Sequence, residues 1–107
     1  MANKTQGYVN YGSQFGVSVN ASGSAVVVNG LNIGSPSASG VTAAFTIPES
    51  FNAQARLFVV AANGNANGTV TVSGVSNTIN GSAAALTVSN LESKQFYNVS
   101  GTNWVSF

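Results

Sequence analysis

Residues 69–75 read TVTVSGV, a stretch in which polar and apolar side chains take turns. Because successive side chains of a β-strand point to opposite faces, this period of two predicts a strand with one buried face. The same alternation recurs at 15–19 (FGVSV) and at 41–47 (VTAAFTI), where Pro48 ends the run because it has no N–H to donate. Residues 55–61 (ARLFVVA) are apolar almost throughout and predict a central strand.

Turns are marked by clusters of Gly, Asn and Ser between the apolar runs, as at 34–40 (GSPSASG). Two Asn-Gly pairs, at 29–30 and 80–81, carry the strongest short-range hairpin signal. Near the C-terminus, 94–100 (KQFYNVS) and 104–107 (WVSF) flank a Gly-Thr-Asn turn. These two segments predict a last hairpin.

The pattern as a whole predicts an all-β protein. About eight short strands with regularly spaced turn signals are typical of a β-sandwich or barrel. We expect an antiparallel β-sandwich, jelly-roll-like or Ig-like, that forms a single domain over 1–107. The one alternative to strand is a single helical turn within 48–57 (PESFNAQARL), where Pro48 suits a first helical position.

Charge is scarce in this chain. Charged residues make up 5% of it, against about 25% in a typical domain. The net charge is +1, so there is no basic footprint for nucleic acid and little repulsion between copies. No apolar run approaches the roughly 20 residues that cross a bilayer as a helix. We therefore expect neither a nucleic acid nor a membrane partner.

Catalysis is disfavoured by the same composition. The chain has no His and no Cys, and its two acidic residues are Glu49 and Glu92. Without these groups there is no catalytic triad, thiolate nucleophile or metal cluster. Glu49 and Glu92 could form a glycosidase-type carboxylate pair, but solubilising charges in loops are the expected role. We predict no enzyme activity, no catalytic residue, no metal and no cofactor.

Aromatic residues stand near both termini. If 104–107 is a strand, Trp104 faces one side of the sheet and Phe107 the other, which predicts a core on one face and a neighbouring chain on the other. The alternative is that Trp104 is a core anchor and Phe107 an ordinary surface residue. Residues 1–20 are either an interface arm or part of the domain's own sheet. The candidate interface residues are Tyr8, Tyr11, Phe15, Trp104 and Phe107.

The segment 68–107 resembles the closing region of surface proteins from tailed-bacteriophage virions. The similarity lies in a TVTV strand, the turn TINGS (78–82), an LTV strand (86–88), an aromatic-bearing strand (94–100) and the final GTNWVSF (101–107). The resemblance implies a β-structured virion component displayed on the particle. It carries no catalytic residue over, since the shared positions are turns and core aromatics.

Three functional hypotheses follow. The preferred one is a non-enzymatic capsid decoration (cement) protein that lies on the outer capsid surface and binds the major capsid protein, as a homo-oligomer with a trimer favoured. The alternative is a receptor-binding module of a tail fibre or spike, with a host glycan as ligand. The third is a self-assembling coat or matrix protein of a bacterium, whose edge strands pair end to end.

Overall fold

A computed structural model describes residues 15–49, 51, 56–62 and 67–107. These residues form strands, turns and coil, with no helix among them, so the all-β prediction is confirmed. Ten strands make up two sheets. They are β1 (Gly16–Asn20), β2 (Gly23–Val26), β3 (Gly30–Gly34), β4 (Thr42–Ile47), β5 (Leu57–Ala61), β6 (Thr69–Gly74), β7 (Thr78–Ile79), β8 (Leu86–Val88), β9 (Ser93–Ser100) and β10 (Asn103–Ser106).

The first six strands wind as a short parallel coil. Strands β1, β3 and β5 lie side by side in one sheet, and β2, β4 and β6 lie side by side in the other. Each strand is parallel to the strand two before it, so that Gly16 of β1 lies beside Gly30 of β3, which lies beside Leu57 of β5. Every link therefore crosses between the sheets, and two successive strands make one rung of the coil.

The last four strands close one end of this coil. β9 pairs antiparallel with both β5 and β10, β8 pairs antiparallel with β6, and β7 joins β10 in parallel. The larger sheet has the order β1-β3-β5-β9-β10-β7 and the smaller one β2-β4-β6-β8. Strands β1 and β2 are consequently the outer strands at the opposite, N-terminal end.

Several local predictions are confirmed. β4 ends just before Pro48, β5 is a central strand, and β9 and β10 form the last hairpin. The Asn80-Gly81 pair makes a two-residue turn with φ of 55° and 81°, closed by reciprocal backbone hydrogen bonds between Ile79 and Ser82 of 2.9 and 3.0 Å. Positive φ at both central positions is what a tight hairpin turn requires.

The predicted antiparallel pairing is wrong for β1 to β6. These strands pair in parallel, because each chain link crosses to the other sheet before the next strand of the same sheet begins. For the same reason Asn29-Gly30 makes no hairpin, since β2 and β3 lie in different sheets. The helical turn considered within 48–57 is absent from the described residues of that range, while 50 and 52–55 lie outside them.

The core lies between the inner faces of the two sheets. The larger sheet contributes Leu57, Val59, Phe96 and Trp104, and the smaller one contributes residues such as Phe45. Gly34 marks how closely the sheets approach, since a Cβ at this position would lie 2.6 Å from Cγ1 of Val70. Each buried side chain of this kind stabilises the fold by about 1.5–3 kcal/mol.

Three buried asparagines fix the turns of the coil to neighbouring strands. Nδ2 of Asn20 donates to the carbonyl of Gly23 across the β1–β2 link and to that of Ala44 in β4, at 3.1 and 3.0 Å. Asn77 does the same after β6, where Nδ2 donates to the carbonyls of Val75 and Ile47. Asn32, in β3, is the third. A buried amide is stable here because it pairs with backbone groups that would otherwise lack partners.

Candidate interaction surface

The outward side of the larger sheet is an apolar surface. In-register pairing aligns side chains into rows across the strands, and one row runs from Val17 through Leu31 to Phe58. A second row runs parallel to it. The first row continues from Phe58 to Gln95 of β9, and reciprocal backbone hydrogen bonds between Gln95 and Phe107 extend it to the residue that follows β10. We call this surface the apolar face, and its residues are Val17, Val19, Leu31, Ile33, Phe58, Val60, Tyr97, Val105 and Phe107.

No charge interrupts the apolar face. The other outward positions of β9 and β10 are Ser93, Gln95, Val99 and Asn103, which are all uncharged. Arg56 lies just before β5, at the border of the face, with its guanidinium carbon 6.0 Å from the ring centroid of Phe15. A partner that docks on this surface therefore has no ionic group of the chain to desolvate within the strands, and desolvating a charge is the main cost of burying one.

The outward side of the smaller sheet has a different character. Its rows hold mainly small and hydroxyl-bearing side chains, as in the row of Ala44, Thr71 and Thr87. The next row adds one exposed apolar residue, Val26, beside Thr46 and Ser73. The two outer surfaces of one molecule therefore differ, and the larger sheet bears the more apolar one.

The size of the apolar face is that of a functional patch. Five strands spaced about 4.8 Å apart, each about five residues long with a rise of about 3.3 Å, cover roughly 400 Å². Contiguous apolar patches of roughly 300–600 Å² are the largest that ordinary monomers expose, and such patches are often binding sites.

The structure separates the two aromatic residues of the C-terminal strand. Trp104 is 1% exposed, and its ring lies 6.3 Å from that of Phe51 in the core. Phe107 is 70% exposed and lies on the apolar face. The alternation predicted for this strand is correct, and Trp104 lies in the core, as both interpretations require; that a neighbouring chain covers Phe107 stays a prediction. A surface site therefore includes Phe107 and leaves out Trp104.

The N-terminal candidates lie partly outside the described residues, among them Tyr8 and Tyr11. Phe15 is 46% exposed and directly precedes β1. Residues 16–20 of the predicted arm form β1, which belongs to the chain's own larger sheet. Residues 16–20 thus belong to the domain's sheet as its outer described strand, and docking of residues 1–20 on a neighbouring chain stays a prediction.

The described residues offer no constellation for catalysis or metal binding. Glu49 and Glu92 are both exposed, and no group of three or more potential metal-ligating side chains occurs in the described part of the chain. Across the same residues, there is also no helix of the length and apolarity needed to cross a bilayer. Among the described residues, the candidate site is therefore the apolar face.

Most residues of the apolar face were not among the candidates predicted from the sequence. The central strand of the face, β5, reads LFVVA, so both of its faces are apolar. A strand that is apolar on both faces is expected to be covered on both, as proposed for 104–107, so the same signal marks Phe58 and Val60. No comparable signal marked Val17 and Val19, because their strand alternates apolar and polar residues as a half-buried strand does.

No protein-family model, no curated protein and no solved structure matches the chain. The two sheets, the apolar face and the composition are therefore the evidence for its function.

Proposed function

We propose that this chain is a non-enzymatic capsid decoration protein of a tailed phage, which binds the outer surface of the major capsid protein and stabilises the head. The observation that carries the proposal is the apolar face, a flat and uncharged surface with no chain of its own over it among the described residues. The resemblance of residues 68–107 to virion surface proteins supports the choice of partner. The proposed location is the outer capsid surface.

The physical mechanism is adhesion. The face covers roughly 400 Å² and includes the polar residues Ser93 and Gln95, so its burial at about 25 cal/mol per Å² of apolar area supplies at most about 10 kcal/mol before the costs of association are subtracted. A single contact of this size is modest. Many copies spread over a shell, each bridging capsid subunits, make the combined resistance to internal pressure large.

The scarcity of charge suits this role. Lys4, Arg56, Lys94, Glu49 and Glu92 are the charged residues of the chain, and none of the four that the structure describes lies on the apolar face. Apolar and hydroxyl contacts are screened far less by salt than ion pairs are. We therefore expect binding to persist at high ionic strength.

The direct test compares particles that contain the protein with particles that lack it. We expect both to assemble, and the particles without the protein to break at a lower temperature in a thermal-release assay. Equal heat stability of the two kinds of particle would contradict the proposal.

Surface variants connect that result to the apolar face. Phe107→Asp places a carboxylate on an exposed position of the face, and Thr87→Asp places one on the hydroxyl-rich surface of the smaller sheet. Burying an unpaired carboxylate is costly, so Phe107→Asp should weaken binding to undecorated capsids by about a hundredfold or more. Thr87→Asp is the matched control and should bind as the parent does. Equal binding of the two variants would place the capsid contact elsewhere.

A glycan-binding module of a fibre or spike is the second candidate. The observation that favours it is a pair of exposed rings on the apolar face, Tyr97 and Phe107, with the amides of Gln95 and Asn103 nearby. Rings of this kind can stack on sugars while amides bind hydroxyl groups. Copy number separates the candidates, because decoration requires hundreds of copies over the shell and a fibre tip only a few dozen. Labelled electron micrographs of virions measure this.

A further inference from the structure

The N-terminal end of the coil exposes the free edges of two strands. Among the described residues β1 pairs with β3 alone and β2 with β4 alone. β2 follows β1 after two residues, so the two edges lie at the same end of the molecule. A strand edge of this kind is a template for pairing with another strand.

Apolar side chains concentrate at this end. Val17 and Val19 of β1 are 62% and 65% exposed, whereas their row neighbours one strand further in, Leu31 and Ile33, are half-buried. Val26 of β2 is exposed as well. The difference arises because, among the described residues, a strand flanks β1 on one side only.

The backbone groups that point outward can be identified from the hydrogen bonds that point inward. The N–H of Gly16 donates to the carbonyl of Asn29 at 2.8 Å, and the carbonyl of Asn20 accepts from the N–H of Ser35 at 2.9 Å. Backbone direction alternates along a strand, so the even-numbered residues of β1 bond toward β3. The N–H and C=O groups of Val17 and Val19 therefore point away from the sheet.

Nothing in its sequence blunts this edge. β1 reads GVSVN, with no charge and no proline, which are the usual means of preventing edge pairing. The opposite edges differ. β7 has two residues and β8 has three, and the side chain of Asn80 bonds both the backbone N–H and the hydroxyl of Ser106 beside β7.

We propose that two copies of this chain pair through β1 in antiparallel fashion, across a twofold axis at Ser18. In this register Val17 of one copy lies opposite Val19 of the other, and each such pair exchanges two backbone hydrogen bonds, which gives four in all. The two valines of each pair are also cross-strand neighbours, an arrangement that β-branched side chains favour. The pairing rests on the strand edge and is independent of what the apolar face binds.

Pairing through β1 doubles the area of the apolar face. A twofold axis perpendicular to the sheets joins the two larger sheets edge to edge, so their apolar faces become one continuous surface. Two patches of roughly 400 Å² make about 800 Å², which is the area that one partner buries in a standard protein–protein interface. The same axis brings the free edges of the two β2 strands to the same side.

The assembly is closed. An edge that pairs with its own copy is used up in the dimer, and the short strands at the other end give no second edge of similar length. The geometry therefore favours a dimer over filaments, and over the trimer that the sequence-based hypothesis favours.

Light scattering coupled to size-exclusion chromatography measures the mass directly. We expect the full chain to elute with the mass of two 10.8 kDa chains and to dissociate on dilution. Val19→Pro removes an N–H that points away from β3, so the β1–β3 ladder stays intact while the dimer loses two of its four bonds. This variant should raise the dimer dissociation constant about tenfold or more.

A charge variant checks that the effect comes from the edge. Val17→Lys together with Val19→Lys places like charges opposite each other in the dimer, and should leave a folded monomer. Val75→Lys is the matched control, because Val75 is also an exposed valine but lies in the bend after β6. Circular dichroism confirms that each variant is folded.

A disulfide tests the register. The chain has no cysteine, so Ser18→Cys introduces a single thiol. Ser18 faces its own copy as a pair without mutual hydrogen bonds, with a Cα separation of about 4.5 Å, which lies within disulfide range. Oxidation should convert this variant to a covalent dimer, and Ser89→Cys, at an exposed position away from the edge, should remain unlinked.

The proposal is overturned if the parent chain is monomeric at all concentrations, or if it is a trimer. It is also overturned if Val19→Pro leaves the dimer unchanged, or if oxidation of Ser18→Cys does not link the two copies. A chain that dimerises only after residues 1–14 are removed would contradict it too, and would assign the β1 edge to the chain's own N-terminal segment.

Discussion

Replacing Asn32 with alanine should destabilise the fold more than any exposed asparagine substitution does. Asn32 is fully buried in β3. Its Nδ2 donates to the carbonyls of Val28 and Phe58, both at 3.1 Å, and its Oδ1 accepts from the N–H of Val28 at 2.8 Å. One side chain thus ties the turn between β2 and β3 to the next rung of the coil.

The expected magnitude follows from these three bonds. Each hydrogen bond contributes about 1 kcal/mol net, and a buried group left without a partner costs about 1–3 kcal/mol. Because Val28 and Phe58 are half-buried, water can reach some of the groups that Asn32→Ala frees. We expect a loss of about 3 kcal/mol in the free energy of unfolding, which lowers the Tm by roughly 12 °C.

The isosteric variant Asn32→Asp adds a signature in pH. The introduced carboxylate would face the two carbonyl oxygens that now accept from Nδ2, and it would be buried, so both effects raise its folded-state pKa above the value of about 3.9 in the unfolded chain. Stability from a raised pKa of this kind is present below about pH 4 and is lost as the pH rises above it, by up to about 1.4 kcal/mol per pH unit. The variant should therefore be more stable at pH 4 than at pH 7.

Urea denaturation followed by tryptophan fluorescence measures both effects, since Trp104 is buried in the core. The matched control is Asn98→Ala, which removes an exposed bond of 2.9 Å from Nδ2 to the carbonyl of Gly101. Water replaces this bond, so the control should lose about 0.5 kcal/mol. If Asn32→Ala costs no more than Asn98→Ala, or if Asn32→Asp is equally stable at both pH values, the argument from buried bonds is refuted.

Three further predictions test the packing and the charge balance. Gly34→Ala should cost about 1–3 kcal/mol in a denaturant titration, since its Cβ would lie 2.6 and 2.7 Å from the two methyl carbons of Val70; an unchanged midpoint would contradict this contact. Phe45→Ala should cost about 3–5 kcal/mol by the same measurement, because a fully buried ring leaves a cavity between the sheets, and a loss below 1 kcal/mol would place Phe45 outside the core. The unfolding midpoint in urea should change little between low and high NaCl, because 5% of the residues are charged; a strong dependence would reveal an ionic contribution that the structure does not suggest.

Single strands and tight turns could be predicted because their signals are local. The alternation of 69–75 reflects the two faces of one strand, and Asn-Gly is a pair that readily adopts positive φ at two successive residues, as 80–81 does. The partner of each strand could not be predicted in the same way. A run such as Asn29-Gly30 changes the direction of the chain equally well within one sheet and between two, and here Asn32 and Phe58 fix the second path.

The residues of the candidate site likewise differ in whether the sequence could predict them. Phe107 was predicted as a surface residue of the last strand because strand alternation alone opposes it to Trp104. The remainder of the apolar face comes from β1, β3, β5 and β9, which are far apart in sequence. Their rows exist only because the strands pair in register.

The sequence by itself determined that this chain is all-β, nearly uncharged and without histidine, cysteine or aspartate, since these properties follow from composition and from a period of two. The tertiary structure decided that strands two apart pair in parallel, and therefore which apolar side chains line up on one outer face. It also decided that β1 is the outer strand of the larger sheet among the described residues. The physical reason is that side-chain alternation is a property of one strand, whereas register and edges depend on which strands meet.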